Sequence, residues 1–129
     1  LHVTLELNAA PVATNLDDAI PFGLIVNELV NNALKHAFAS GNISEPRLQV
    51  ALQQCHQQVT LKVTDNGSGL TGTAAHSHAK LGLMIIELLT EQLRGTITIT
   101  SLNEAGTLSE AGTGQGTQAV LEFQLSPSK

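Results

Sequence analysis

The chain has 129 residues, enough for one ordinary domain that buries roughly two-thirds of its unfolded surface. Six Lys and Arg against eleven Asp and Glu leave a formal net charge of −5, and Trp and Tyr are absent, which excludes the cationic footprint and the stacking platform of a general nucleic-acid binder. Hydrophobic residues make up 42% and charged residues 13%, too apolar for disorder, yet Pro21, Asn27, Glu28 and Glu87 break every run short of the roughly 20 residues of a membrane span. Cys55 is the single cysteine, so no internal disulfide can form and a reducing, cytoplasmic setting fits. The chain begins at Leu1, and no signal peptide is expected in it. It is expected to be a single domain, residues 1–129, taken from a longer protein.

In chain order, Val3, Leu5 and Leu7 alternate with Thr4 and Glu6, the pattern of a short half-buried strand. Asp17 and Asp18 are N-cap candidates for a helix whose first turn would hold Pro21. Its apolar stripe is Ile25, Leu29, Ala33 and Ala37, flanked by Phe22, Val26 and Val30. The Gly, Asn, Ser and Pro of 40–46 end it. Two alternating runs (Leu48, Val50, Leu52 and Val59, Leu61, Val63) form a hairpin, and the polar stretch Gln53–Gln58 suggests a connection longer than two residues, with Cys55 in it. A loop over 65–77 precedes a helix from Leu83 to Leu93, stopped by Gly95 with Arg94 in its last turn. Ile97 and Ile99 mark a further core strand, 103–115 a flexible connection, and Leu121, Phe123 and Leu125 the last strand. The order β-α-β-β-α-β-β predicts an α/β (α+β) two-layer sandwich, helices on one face of a mixed sheet.

The first helix carries an anomaly opposite its apolar stripe: Asn27, Glu28, Asn31, Asn32, Lys35 and His36. A solvated helix face is the ordinary explanation of such a row. Asn is a poor helix former, however, and three on one face suggest a site rather than mere solubility. A carboxamide oxygen suits a hard cation such as Mg²⁺, Lys35 offers a point charge for phosphate, and Glu28 could polarise a water. Asp65 has the strand phase of Val59, Leu61 and Val63, which turns it inward. A carboxylate there is costly unless hydrogen-bonded. In Asp65-Asn66-Gly67-Ser68-Gly69 it is either part of a plain Asp–Gly turn or an acceptor for the amino group of a base, with glycines letting a ligand approach. Lys80-Leu81-Gly82-Leu83 would place backbone N–H groups at a helix start for phosphate, or merely punctuate. Gly116-Thr117 enters the last strand.

Taken in order, these four segments resemble the ATP-binding domain of the GHKL superfamily, most of all the catalytic domain of sensor histidine kinases. The segment from Asn27 through Glu28, Asn31, Asn32, Lys35 and His36 to Phe38 is similar to the Asn-rich box of the HWE-like, short-lid subgroup, in which a Glu takes the first key position. The resemblance covers nearly the whole chain and implies a Bergerat-type fold. It implies ATP and Mg²⁺ as cofactors, with Asn32 as metal ligand, Lys35 on phosphate, and Asn31 and His36 beside the nucleotide. By the same resemblance Asp65 accepts from the adenine amino group, Gly67, Gly69 and Leu70 shape the pocket floor, and Thr117 supports Asp65. Lys80, Leu81, Gly82 and Leu83 close over the phosphates. Glu28 matches the position that activates water in the hydrolysing relatives.

Two departures stand out. Lys80 replaces the usual glycine two residues before Gly82, and the lid over 71–80 is short, with His76 and His78 read as solvated loop residues. The helical hairpin bearing a phosphoacceptor histidine is not in the sequence. The implied activity is that of a protein histidine kinase, its catalytic domain presenting the γ-phosphate of ATP. The implied partners are the phosphoacceptor-histidine dimerisation domain of the parent kinase and, through it, a response regulator, with neither nucleic acid nor direct membrane contact. The alternatives are a GHKL ATPase, an anti-sigma-type serine kinase, or a degenerate docking module.

Overall fold

The computed structural model describes residues 2–37, 45–67, 76–101 and 116–125. Strand β1 (Thr4–Ala9) is followed by helix α1 (Leu16–Asn32), which runs on into one π-helical turn (Ala33–Ala37). Strands β2 (Arg47–Cys55) and β3 (Gln58–Asp65), helix α2 (His76–Gln92), and strands β4 (Thr96–Ser101) and β5 (Thr117–Gln124) complete the order. The sheet runs β1-β2-β3-β5-β4, with β1 parallel to β2 and every other pair antiparallel. This is the mixed sheet of the expected α+β sandwich.

Strand alternation sets the core. Leu48 of β2, Val59, Leu61 and Val63 of β3, and Ala119, Leu121 and Phe123 of β5 are buried, and register pairing puts them on one face. Both helices cover that face. Ile25, Leu29 and Ala33 descend from α1 and Ile86 from α2 into the same cluster. The rings of Phe22 and Phe123 lie 5.6 Å apart and tilted, joining α1 to β5. On the opposite face Gln49, Lys62 and Glu122 are exposed.

Several local expectations are corrected. Helix α1 is capped by Asn15, whose side chain accepts from the Asp18 N–H at 2.9 Å, so Asp17 and Asp18 sit inside the first turn, where their charge favours the helix dipole. Pro21 consequently falls in the second turn. Strand β1 is exposed at every position, because it is an edge that the helix layer does not cover: Leu5 and Leu7 pair with Leu48 and Val50 but remain 55% and 68% exposed. The other edge is β4, so Ile97 and Ile99 are only half-buried. The hairpin is tight. Cys55 pairs with Gln58 and ends β2, leaving His56 and Gln57 as a two-residue turn with His56 at φ 57°.

The start of α2 is also earlier than expected. Residues 76–80, read as lid loop with His76 and His78 in it, are helical, and Gly82 lies in the second turn. At the other end the left-handed residue is Arg94 (φ 56°), not Gly95. The Gly95 N–H reaches the Thr90 carbonyl at 3.0 Å and the Arg94 N–H the Glu91 carbonyl at 3.0 Å, a Schellman closure. Gly95 is required by packing instead: a Cβ there would sit 2.5 Å from the Glu122 carbonyl oxygen. The connections expected over 40–44, 68–75 and 103–115 lie outside the described residues.

Neighbouring substitutions should therefore have opposite signs. Gly95→Ala forces β5 away from the helix end and is expected to cost about 2–3 kcal/mol, whereas Arg94→Gly relieves a left-handed side chain and should gain about 1 kcal/mol. Urea denaturation of both variants checks this, and a destabilising Arg94→Gly would contradict the closure described.

Candidate functional site

Topology gathers the dispersed motifs. The crossover from β1 to its parallel neighbour β2 makes α1 run opposite to both. Strands β3 and β4 both pair antiparallel with β5, so they run the same way and α2 between them runs opposite. The C-terminal ends of α1 and β3 and the N-terminal ends of α2 and β5 thus share one edge of the sandwich. Asn32 and Lys35, Asp65 and Gly67, Gly82, and Thr117 all lie there.

Asp65 closes the buried face of β3. It is 8% exposed, flanked in register by Leu48 and Thr117. Its Oδ1 accepts from the Gly67 N–H at 2.9 Å, and the backbone N–H of Thr117 also donates to its carboxylate. Burial outweighs these two bonds and pushes its pKa up to about 6. Gly116 makes the close approach possible. It has φ 132°, and a Cβ there would overlap the Asp65 carbonyl oxygen.

The Asn-rich face of α1 divides. Asn27 is exposed, as a solvated face requires, while Glu28, Asn31 and Asn32 are half-buried. The cover comes from α2. At Gly82, which is buried, a Cβ would lie 3.2 Å from Asn32 Oδ1, 3.3 Å from Asn32 Nδ2 and 3.3 Å from Glu28 Oε2. Glycine lets the helices meet there, bringing a carboxamide and a carboxylate to one point. This corrects the expectation of free helix-start N–H groups at Gly82, since the second turn of an α-helix has its N–H groups bonded internally. Leu83 packs on the core and Leu81 is 58% exposed.

Lys35 and His36 sit in the π-helical turn, a feature frequent at functional sites, and Lys35 is exposed. The side chains of His36 and Lys80 lie outside the described residues, as do Gly69 and Leu70 entirely. Among the described residues no group of three or more His, Cys, Asp and Glu side chains could hold a metal by itself. No helix among them is long and apolar enough to cross a membrane. Sequence reasoning assigned nothing to Asn66, which bonds twice to the start of β2, and little to Gly116. A glycine immediately before the strand that pairs with Asp65 was the available signal for the latter.

The sequence matches the histidine kinase-, DNA gyrase B-, and HSP90-like ATPase family (HATPase_c) over residues 17–127. The chain belongs to this family. Among curated proteins none matches the sequence. Among solved structures, the HATPase_c domain described here is similar to the histidine kinase domain of the EL346 blue-light activated histidine kinase from Erythrobacter litoralis, with 23% identity and TM-score 0.75 over 95% of this chain and 52% of that one. It is also similar to histidine kinase AdeS from Acinetobacter baumannii (16% identity, TM-score 0.67, 97% of this chain and 55% of that one). The catalytic domain of histidine kinase ThkA aligns with TM-score 0.66 at 12% identity, covering 98% of this chain and 82% of that one. At these identities the likeness is one of fold. This HATPase_c chain spans about half the length of the first of these structures.

The raised pKa has a consequence for stability. Between its ordinary value of 3.8 and about 6, Asp65 binds a proton in the folded chain that it has released in the unfolded one. Its contribution therefore falls as pH rises through that window, by about 3 kcal/mol in all, and stays low above it. Asp65→Asn removes this slope. Denaturation between pH 4 and pH 7 should show wild type losing stability relative to Asp65→Asn, and parallel profiles would place Asp65 in a less buried setting than the one described.

Proposed function

We propose that this domain binds Mg-ATP at the shared edge of α1, α2, β3 and β5 and presents the γ-phosphate to a histidine on a separate helical dimerisation domain, which passes it to a response regulator. What carries this reading is the buried carboxylate of Asp65, short of hydrogen-bond donors, at the same edge as Asn32, Glu28 and Lys35. Asp65 retains acceptor capacity beyond its two backbone bonds, and an adenine amino group supplies the missing donor. The ionised form is the stronger acceptor, so the ligand draws the pKa back down. Thr117, Gly67 and Gly116 hold the carboxylate in place.

The donor set suits magnesium. Asn32 Oδ1 and Glu28 Oε2 are hard oxygens that converge near Gly82, and Mg²⁺ takes one or two protein oxygens alongside phosphate. The ion would supply charge neutralisation at the phosphates. Lys35 and Lys80 add cations in a chain of net charge −5. Phosphoryl transfer then asks the protein mainly for positioning and electrostatics. The acceptor domain has a suitable landing face: Leu81, Met84, Ile85 and Leu88 of α2 are exposed and recur at helical spacing. ATP as ligand puts the domain in the cytoplasm.

Calorimetry with a non-hydrolysable ATP analogue and Mg²⁺ tests the reading. Binding is expected, weakened at least about tenfold by Asp65→Asn and weakened again as pH falls through 6. No binding at millimolar nucleotide would leave only a docking module.

A second reading follows from Glu28, whose carboxylate meets the same point as Asn32. Placed there it could orient a water, making the domain an ATPase, or serve as base toward a serine. Steady phosphate release that Glu28→Gln reduces by about a hundredfold would favour hydrolysis. Release unaffected by that substitution removes Glu28 as a base.

A further inference from the structure

Asn66 lies between Asp65 and Gly67, outside the set of residues assigned above to nucleotide. Its side chain uses both ends on one short segment. Oδ1 accepts from the Arg47 N–H at 2.7 Å, and Nδ2 donates to the Glu45 carbonyl at 2.8 Å. Its own N–H donates to the Arg47 carbonyl at 3.3 Å. The regular ladder between β2 and β3 ends one residue earlier, at Leu48 and Asp65. Beyond it, the carboxamide takes over what a further pair of backbone groups would do, tying residues 65–67 to the first residue of β2. A carboxamide offers an acceptor and a donor side by side at this reach.

The consequence falls on Asp65. Its carboxylate is held from below by the Gly67 N–H, so its direction depends on where Gly67 stands. Gly67 in turn follows Asn66 in the chain. We propose that Asn66 is a positioning residue that fixes the Asp65 carboxylate for one donor geometry and so makes the site select adenine over guanine. Guanine presents a carbonyl where adenine presents an amino group, and a fixed carboxylate repels it, whereas a carboxylate free to swing discriminates less. This rests on the reading of Asp65 as the adenine acceptor.

The test compares Mg-bound, non-hydrolysable ATP and GTP analogues by calorimetry on wild type, Asn66→Ala and Gln54→Ala. Gln54 donates from its side chain to the His56 carbonyl at 2.8 Å at the far end of the same hairpin, so its loss controls for general loosening of β2 and β3. Expected is a wild-type preference for the adenine analogue that Asn66→Ala reduces by about tenfold or more and Gln54→Ala leaves intact. The Asp65 carboxyl, followed by carbon NMR, should titrate higher in Asn66→Ala, because the Gly67 N–H that stabilises its ionised form is no longer held against it. If Asn66→Ala fails to fold, Asn66→Asp keeps the acceptor for the Arg47 N–H and is read the same way, with a partial loss of preference expected. Preference and titration both unchanged in the folded Asn66 variant would overturn the proposal and leave the adenine reading standing. A wild-type protein that binds both analogues equally would instead overturn the adenine reading, and the proposal with it.

Discussion

Strand β3 alternates Val59, Leu61 and Val63 into the core, and the pleat then gives Asp65 no choice but to face inward as well. A carboxylate in that row loses its hydration, and the chain returns two backbone N–H groups, from Gly67 and Thr117, in place of water. Two bonds do not match the loss, as the raised pKa shows. The domain thus keeps a strong acceptor in an apolar setting, where charge-assisted hydrogen bonds are strongest. Much else at this edge follows from that constraint. Gly116 has no side chain because β5 must approach the Asp65 backbone, and Thr117 pairs with Asp65 because its N–H is needed there.

The end of the edge where α1 meets α2, proposed above to face phosphate, obeys a different constraint, the distance between two helices. Gly82 lets α2 come close enough to bury part of Glu28 and Asn32. A methyl group at that position would meet both, so helix spacing and exposure of the oxygen donors are set by one residue. The early start of α2 moves its free N–H groups to the turn beginning at His76. Anion attraction by helix N–H groups therefore belongs to that turn, while Gly82 acts through packing. In the proposed reading, phosphate charge is offset by Lys35, presented by the π-helical turn beyond α1.

Much of this was legible in the sequence, and the reasons for the rest are specific. Period-two alternation placed the inward Asp65, and a run of poor helix formers marked the Asn-rich face. The order of elements followed from both periods. What periodicity could not show was anything decided between elements. His76 to Lys80 contains no apolar stripe, so the first turns of α2 left no pattern. Glycine at a helix end suggested a left-handed cap at Gly95, but Arg94 takes that conformation, and the glycine answers the close approach of β5 one residue later. The exposure of Leu5 and Leu7 depends on where the helix layer stops, which alternation within β1 does not encode. Asn66 escaped notice for a similar reason, since its partners are nineteen and twenty-one residues away.

Helix α2 joins these parts. Its inward residues, Leu83, Ile86 and Leu89, pack in or against the core, its Gly82 touches the oxygen donors of α1, and its outward residues, Leu81, Met84 and Leu88, are large, apolar and exposed. A hydrogen-bonded helix of this length moves as a unit over its central turns. Its seating on the core therefore fixes two things together: how open the donors at Glu28 and Asn32 are, and how the apolar outer face is presented. The Thr90 hydroxyl, the one buried polar side chain among the described residues of the helix, is bonded to the Ile86 carbonyl at 2.7 Å and so does not link α2 to the sheet. Among the described residues the helix is consequently held by apolar packing on that side. Such contact resists separation more than sliding, because dispersion and burial lack direction. The geometry of the site thus depends on side-chain volume along α2 as much as on the polar groups that line it.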